Sequence, residues 1–136
     1  MGYISPLFAA ILPFLVWPLE LVLPYPYLVE EVAKLLVVCC LISTVSNKPQ
    51  RIYIAIACGV MFSISELVFY LMNIALVGGI STIFGRFLVT APMHTLTFVI
   101  LTLGLNNGRY WLSVALLVSI CVHYLFNLGI ARWFSL

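Results

Sequence analysis

From Ile52 to Val77 the chain carries one charged side chain, Glu66. A run that long and that apolar leaves few folds open, because in lipid every backbone N–H and C=O has to be satisfied within the segment, which a helix does and an open strand does not. About 20 such residues cross the hydrocarbon of a bilayer. Comparable runs cover roughly residues 4–23, 27–44, 86–104 and 110–131, separated by Pro24-Tyr25-Pro26-Tyr27, by Ser46 to Arg51, by Gly78 to Thr82 and by Asn106-Asn107-Gly108-Arg109. The expectation is an all-α, polytopic membrane helix bundle of about five transmembrane segments, forming one domain over residues 1–136. Pro13 and Pro18 are expected to kink or interrupt the first segment. Its start lacks a basic stretch and a small-residue cleavage site, so it reads as a retained span rather than a signal peptide.

Only 7% of the residues are charged and the mean hydropathy is +1.23, which leaves no soluble domain to carry chemistry. The net charge of +2 comes from six scattered basic residues, so nucleic acid is not an expected partner and the lipid bilayer is. Cys39, Cys40, Cys58 and Cys121 show no metal or disulfide spacing and read as packing residues.

Against this background the stretch Val29-Glu30-Glu31-Val32-Ala33-Lys34 stands out. Glu30 and Glu31 lie four and three residues before Lys34, so on a helix the lysine can lean toward either carboxylate. Each unpaired charge at the centre of a membrane helix costs about 2.5–3.5 kcal/mol on insertion scales, so the cluster must face a bundle interior or a wet cleft. Glu66 has no cation within helical reach and needs a partner from another segment, with His94 or Arg86 the candidates. Ser63, Glu66, Tyr70 and Asn73 share one helical stripe, and Thr90, His94 and Thr97 another, with Pro92 bending the helix just before His94. His123 and Asn127 place two donors one turn apart, a pattern suited to a developing oxyanion. Each of these has a plainer reading as a structural ion pair or a hydrogen-bonded packing residue.

Alternating segments place all of these residues nearer the same membrane face. At 1.5 Å per residue, Glu30 lies about 5 Å, His94 about 12 Å, His123 about 13 Å and Glu66 about 16 Å from that end of their segments. The agreement favours one shared pocket. Lys48, Arg51 and Arg109 lie in the opposite loops, against Arg86 and Arg132 on the pocket side, which leans toward an extracytoplasmic pocket and an internal N-terminus. Glutamates and histidines could bind zinc, yet His-Glu-x-x-His is missing and so is a third nitrogen ligand, so no cofactor is expected.

Taken together, Glu30-Glu31-x-x-Lys34, Phe62-x-x-x-Glu66 followed by Tyr70, Arg86 with His94, and His123-x-x-x-Asn127 resemble the PrsW family of glutamic intramembrane proteases. That family belongs with the CAAX prenyl proteases and bacteriocin-processing enzymes. The likeness covers about residues 27–131, and glutamate rather than histidine at position 66 selects the PrsW branch. The resemblance implies a multi-pass, prokaryotic cell-membrane endopeptidase that cuts a membrane-protein or peptide substrate near the extracytoplasmic face, as PrsW-like enzymes do with anti-sigma factors. In it Glu30 would activate water, Glu31 and Lys34 would orient Glu30, Glu66 and His94 would complete the water and substrate site, and His123 with Asn127 would hold the oxyanion. Arg86 and Tyr70 would support them. The chain is short for the superfamily, which fits a minimal enzyme, a homo-oligomer or an inactive relative. From other classes, a small proton-coupled transporter using Glu66 and the histidines as a relay, or a non-catalytic membrane partner, are the rival readings.

Overall fold

The computed structural model describes residues 2–72 and 80–134, with the side chains of residues 70, 80–81 and 131–134 outside the described set. A 3-10 turn at Gly2–Ile4 leads into α1 (Ser5–Glu20), followed by α2 (Pro26–Cys40), a 3-10 turn at Ile42–Thr44, α3 (Lys48–Met72), α4 (Ile80–Asn107) and α5 (Arg109–Phe134). No strand occurs among the described residues. The expected Gly78-Gly79 turn, Asn73 and the side chains of Tyr70 and Arg132 lie outside them.

Among the described residues four helices, rather than five, are long and apolar enough to cross a membrane. The exception is α2, whose 15 residues rise about 22 Å against roughly 30 Å of hydrocarbon. Local hydrogen bonding ends it early. The hydroxyls of Ser43 and Thr44 donate to the carbonyls of Cys39 and Leu41, taking up acceptors that a continuing helix would have used. The other boundaries also depart from the hydropathy limits, since α3 begins four residues before Ile52 and α4 six before Arg86. Polar residues at those ends continue the helices into the interface. Pro13 and Pro18 do not interrupt α1, which is unbroken through both. Each proline removes one backbone donor, a loss confined to single carbonyls.

The helices run alternately up and down. One end gathers the N-terminus, the α2–α3 connection and the α4–α5 turn, and basic side chains tie these together. Arg51 donates to the carbonyls of Val45 (2.6 Å) and Ser43 (3.0 Å) and to Oδ1 of Asn106 (3.0 Å). Lys48 donates to the Asn106 carbonyl at 2.8 Å, a cation at the C-terminus of α4 where the helix dipole favours it. Gly108 turns the chain from α4 to α5 with φ +110°, a conformation that only glycine adopts without strain.

The most extensive interface joins α3 to α4, and small residues make it close. A Cβ on Gly59 would stand 2.3 Å from the Cα of Thr95, so the two backbones meet where no side chain fits. The apolar core lies beside this contact and fills the basic end: Val38, Ile42, Ala55, Cys58, Phe98 and Leu101 are fully buried. Outward, large apolar side chains such as Leu15, Leu88, Leu117 and Leu125 are more than 60% exposed, far beyond what a surface in water carries, and they suit lipid. The molecule has the form of a multi-pass, all-α membrane bundle.

Candidate active site

At the other end of the bundle, side chains from four helices form a continuous polar chain. Lys34 on α2 is fully buried, with Nζ 2.6 Å from Glu31 Oε1, 2.9 Å from His94 Nδ1 and 3.1 Å from Thr97 Oγ1. From His94 on α4 the chain continues through Nε2 to Glu66 Oε2 on α3, at 2.7 Å. In the other direction Glu31 Oε1 also takes Nδ1 of His123 on α5, at 2.8 Å. Glu31, Thr97, His94 and His123 are each at most 3% exposed. Phe62 and Phe98 face the lysine, with ring centroids 4.8 and 5.9 Å from Nζ, and the Phe62 ring also packs on His94 at 4.7 Å. The aromatic faces help a desolvated ammonium that is already ion-paired.

Glu30 stands apart from that chain. Its Oε2 is buried without a hydrogen-bond partner, 3.9 Å from His94 Nδ1 and 4.0 Å from His123 Nε2. The two histidine rings meet edge to face with centroids 5.4 Å apart. Glu30 and Glu66 retain 14% and 21% exposure, so the polar cluster opens outward at these two carboxylates.

The structure therefore brings Glu30, Glu31, Lys34, Glu66, His94 and His123 together. Some expected contacts differ. Lys34 turns to Glu31 and His94 and makes no hydrogen bond to Glu30 among the described residues, so it fixes His94 rather than the free glutamate. Asn127 is exposed and is not buried with His123. Arg86 is half-buried on α4, two turns before His94. The Tyr70 side chain lies outside the described set. Thr97, noted in the sequence only as part of a stripe, contacts the central lysine, a role its i, i+3 spacing from His94 allowed. Glu20, the last residue of α1, is half-buried and interacts electrostatically with Glu66. All four acidic residues of the chain thus gather at one end.

Glu30, His94 and His123 could each offer a ligand atom to a metal, these atoms lying within 4.8 Å of one another. The nitrogen of His94 nearest Glu30 is Nδ1, which already faces the Lys34 ammonium. A divalent ion there would share that lone pair with a fixed positive charge less than 3 Å away, so the lysine would have to leave first. The donor set fits a metal poorly while Lys34 is in place.

Comparison of the chain with protein-family models, with curated proteins and with solved structures gave no match.

Proposed function

We propose that this chain is an intramembrane endopeptidase that hydrolyses a peptide bond of another membrane protein, with Glu30 as the base that activates water. The observation that carries the reading is the unpaired Glu30 Oε2 held about 4 Å from two histidine nitrogens, beside the partly open edge of a buried ionic cluster. A carboxylate oxygen spared from the surrounding hydrogen bonds is free to take a proton, directly or through one water. The order of the motifs along α2 to α5, resembling the PrsW family, supports the same chemistry. Glu31, Lys34 and Glu66 hold the histidines in place. Asn127, being exposed, is given no part in the resting site.

A proton-coupled transporter is the second reading, favoured by the unbroken chain from Glu66 to His123. The fully buried apolar core at the opposite end counts against it, since its described residues include no carboxylate, imidazole or ammonium to carry a proton onward. The excess of Lys48, Arg51 and Arg109 at that apolar end over Arg86 and Arg132 at the other supports a cytoplasmic apolar end and, with the family resemblance, a site toward the outer face of a prokaryotic cell membrane. The test is cleavage of a transmembrane reporter peptide by purified protein in liposomes, beside Glu30→Gln. Cleavage lost in the variant supports the peptidase, and proton flux without cleavage replaces it with the transporter. Folded protein with neither activity points to a non-catalytic partner.

A further inference from the structure

The protons on the two histidines follow from a count of donors and acceptors. An ammonium has three N–H groups and accepts nothing. Lys34 Nζ has three acceptors in reach, Glu31 Oε1, His94 Nδ1 and Thr97 Oγ1, so each takes one proton and Nδ1 of His94 must present a lone pair. Thr97, accepting from the lysine, is free to turn its own hydroxyl proton to the His94 carbonyl, 3.1 Å away. A neutral His94 then carries its proton on Nε2, where Glu66 Oε2 accepts it at 2.7 Å. His123 is arranged the other way round. Its Nδ1 faces Glu31 Oε1 at 2.8 Å, and a carboxylate only accepts, so the proton sits on Nδ1 and the lone pair on Nε2. That lone pair is on the nitrogen 4.0 Å from Glu30 Oε2.

We propose that Lys34, Thr97 and Glu31 hold His94 and His123 in opposite tautomers, so that His123 Nε2 shares the nucleophilic water with Glu30 while His94 serves as a fixed donor to Glu66. The water role rests on the peptidase reading above; the tautomers do not. Two acceptors 4.0 Å apart can each receive one proton of a single water with O···O and O···N separations of about 2.7–2.8 Å, once Glu30, 14% exposed, turns enough to uncover the buried Oε2. Both hydrogens are then engaged and the oxygen lone pairs point away from the pair, toward an entering carbonyl. On attack the water oxygen bonds to the carbonyl carbon, the C=O π pair moves to its oxygen, and one proton passes to Glu30. Collapse breaks the C–N bond as Glu30 returns that proton to the leaving nitrogen. His123 orients the second hydrogen, which stays with the carboxylic acid product. Thr97 and Lys34 are positioning residues, acting through His94.

The chain has two histidines, so nitrogen NMR of the full-length protein with 15N-labelled histidine resolves them, and His94→Gln and His123→Gln assign the signals. The expected spectrum has one ring protonated on Nε2, His94, and one on Nδ1, His123. Thr97→Val, which leaves a Lys34 proton without an acceptor, should mix the His94 tautomers, leave the His123 signal unchanged and lower kcat at least several-fold with little change in KM. Thr97→Ser should restore both. His94 protonated on Nδ1, both rings in one tautomer, or an unaltered His94 spectrum and kcat in folded Thr97→Val would overturn the proposal. Opposite tautomers in a protein that cleaves no peptide would overturn the water role together with the peptidase reading, whereas cleavage with matching tautomers would overturn the tautomer assignment alone.

Discussion

Gly59→Ala should disable the site from a position that touches none of its polar groups. The added Cβ would stand 2.3 Å from the Cα and 2.7 Å from the backbone nitrogen of Thr95, and both are main-chain atoms that cannot rotate away. Ordinary contact begins near 3.4 Å, so α4 must withdraw from α3 by about 1 Å at that level. His94 is the preceding residue on α4, and its partner Glu66 rides on α3. A bond of 2.7 Å stretched by that amount is no longer a hydrogen bond. Misplacing catalytic groups by about 1 Å costs on the order of 10²-fold in rate. Overpacking of this kind costs about 1–3 kcal/mol, partly offset by the roughly 1 kcal/mol that alanine gains over glycine in a helix, so the protein should still fold. The assay is kcat with a transmembrane peptide, measured beside thermal unfolding. Gly129→Ala, where a Cβ meets nothing within 4 Å, is the control and should be neutral or slightly stabilising. A Gly59→Ala protein with unchanged rate and melting temperature would refute the close approach as the device that sets the site.

Three further outcomes are expected. Glu30→Gln, which keeps the volume but removes the base, should lose 10²- to 10⁴-fold in cleavage rate while inserting and melting like the parent, as judged by activity and thermal unfolding of one preparation. Lys34→Met should instead lower stability, by about 3–5 kcal/mol, because it strands the fully buried Glu31 carboxylate; denaturant unfolding in mixed micelles reads this, and a stability within 1 kcal/mol of the parent would contradict the ion pair's place in the core. Cleavage should persist in strong chelators, and activity lost on chelation and regained with zinc would mean that a metal displaces Lys34 from His94.

The helical class and the convergence of Glu30, Glu66, His94 and His123 could be read from the sequence because both follow from periodicity. Long apolar runs dictate helices, alternation assigns their ends to faces, and rise per residue gives depth. What a single helix cannot state is which neighbour covers each of its faces. Lys34 could lean toward either carboxylate by spacing alone, and its hydrogen bonds go to Glu31 together with His94 and Thr97 on α4, partners that no pattern on α2 names. Asn127 shares a helical stripe with His123, but burial on α5 depends on other helices, and no pattern on α5 tells where that cover stops. The early end of α2 was hidden for a similar reason. Hydropathy stays high through Leu41 and Ile42, while hydroxyls at Ser43 and Thr44 and a guanidinium from the next helix take the carbonyls.

The shortness of α2 bears on where a hydrolase in lipid finds its second substrate. A rod of about 22 Å in a film of about 30 Å leaves a shortfall that acyl chains meet by thinning around it. Pro26, at the start of α2, is one helical turn from Glu30, so the carboxylate lies within a turn of the hydrated headgroup region. A peptidase consumes one water per bond cut. In the proposed peptidase, that short path from the start of α2 would be the water inlet.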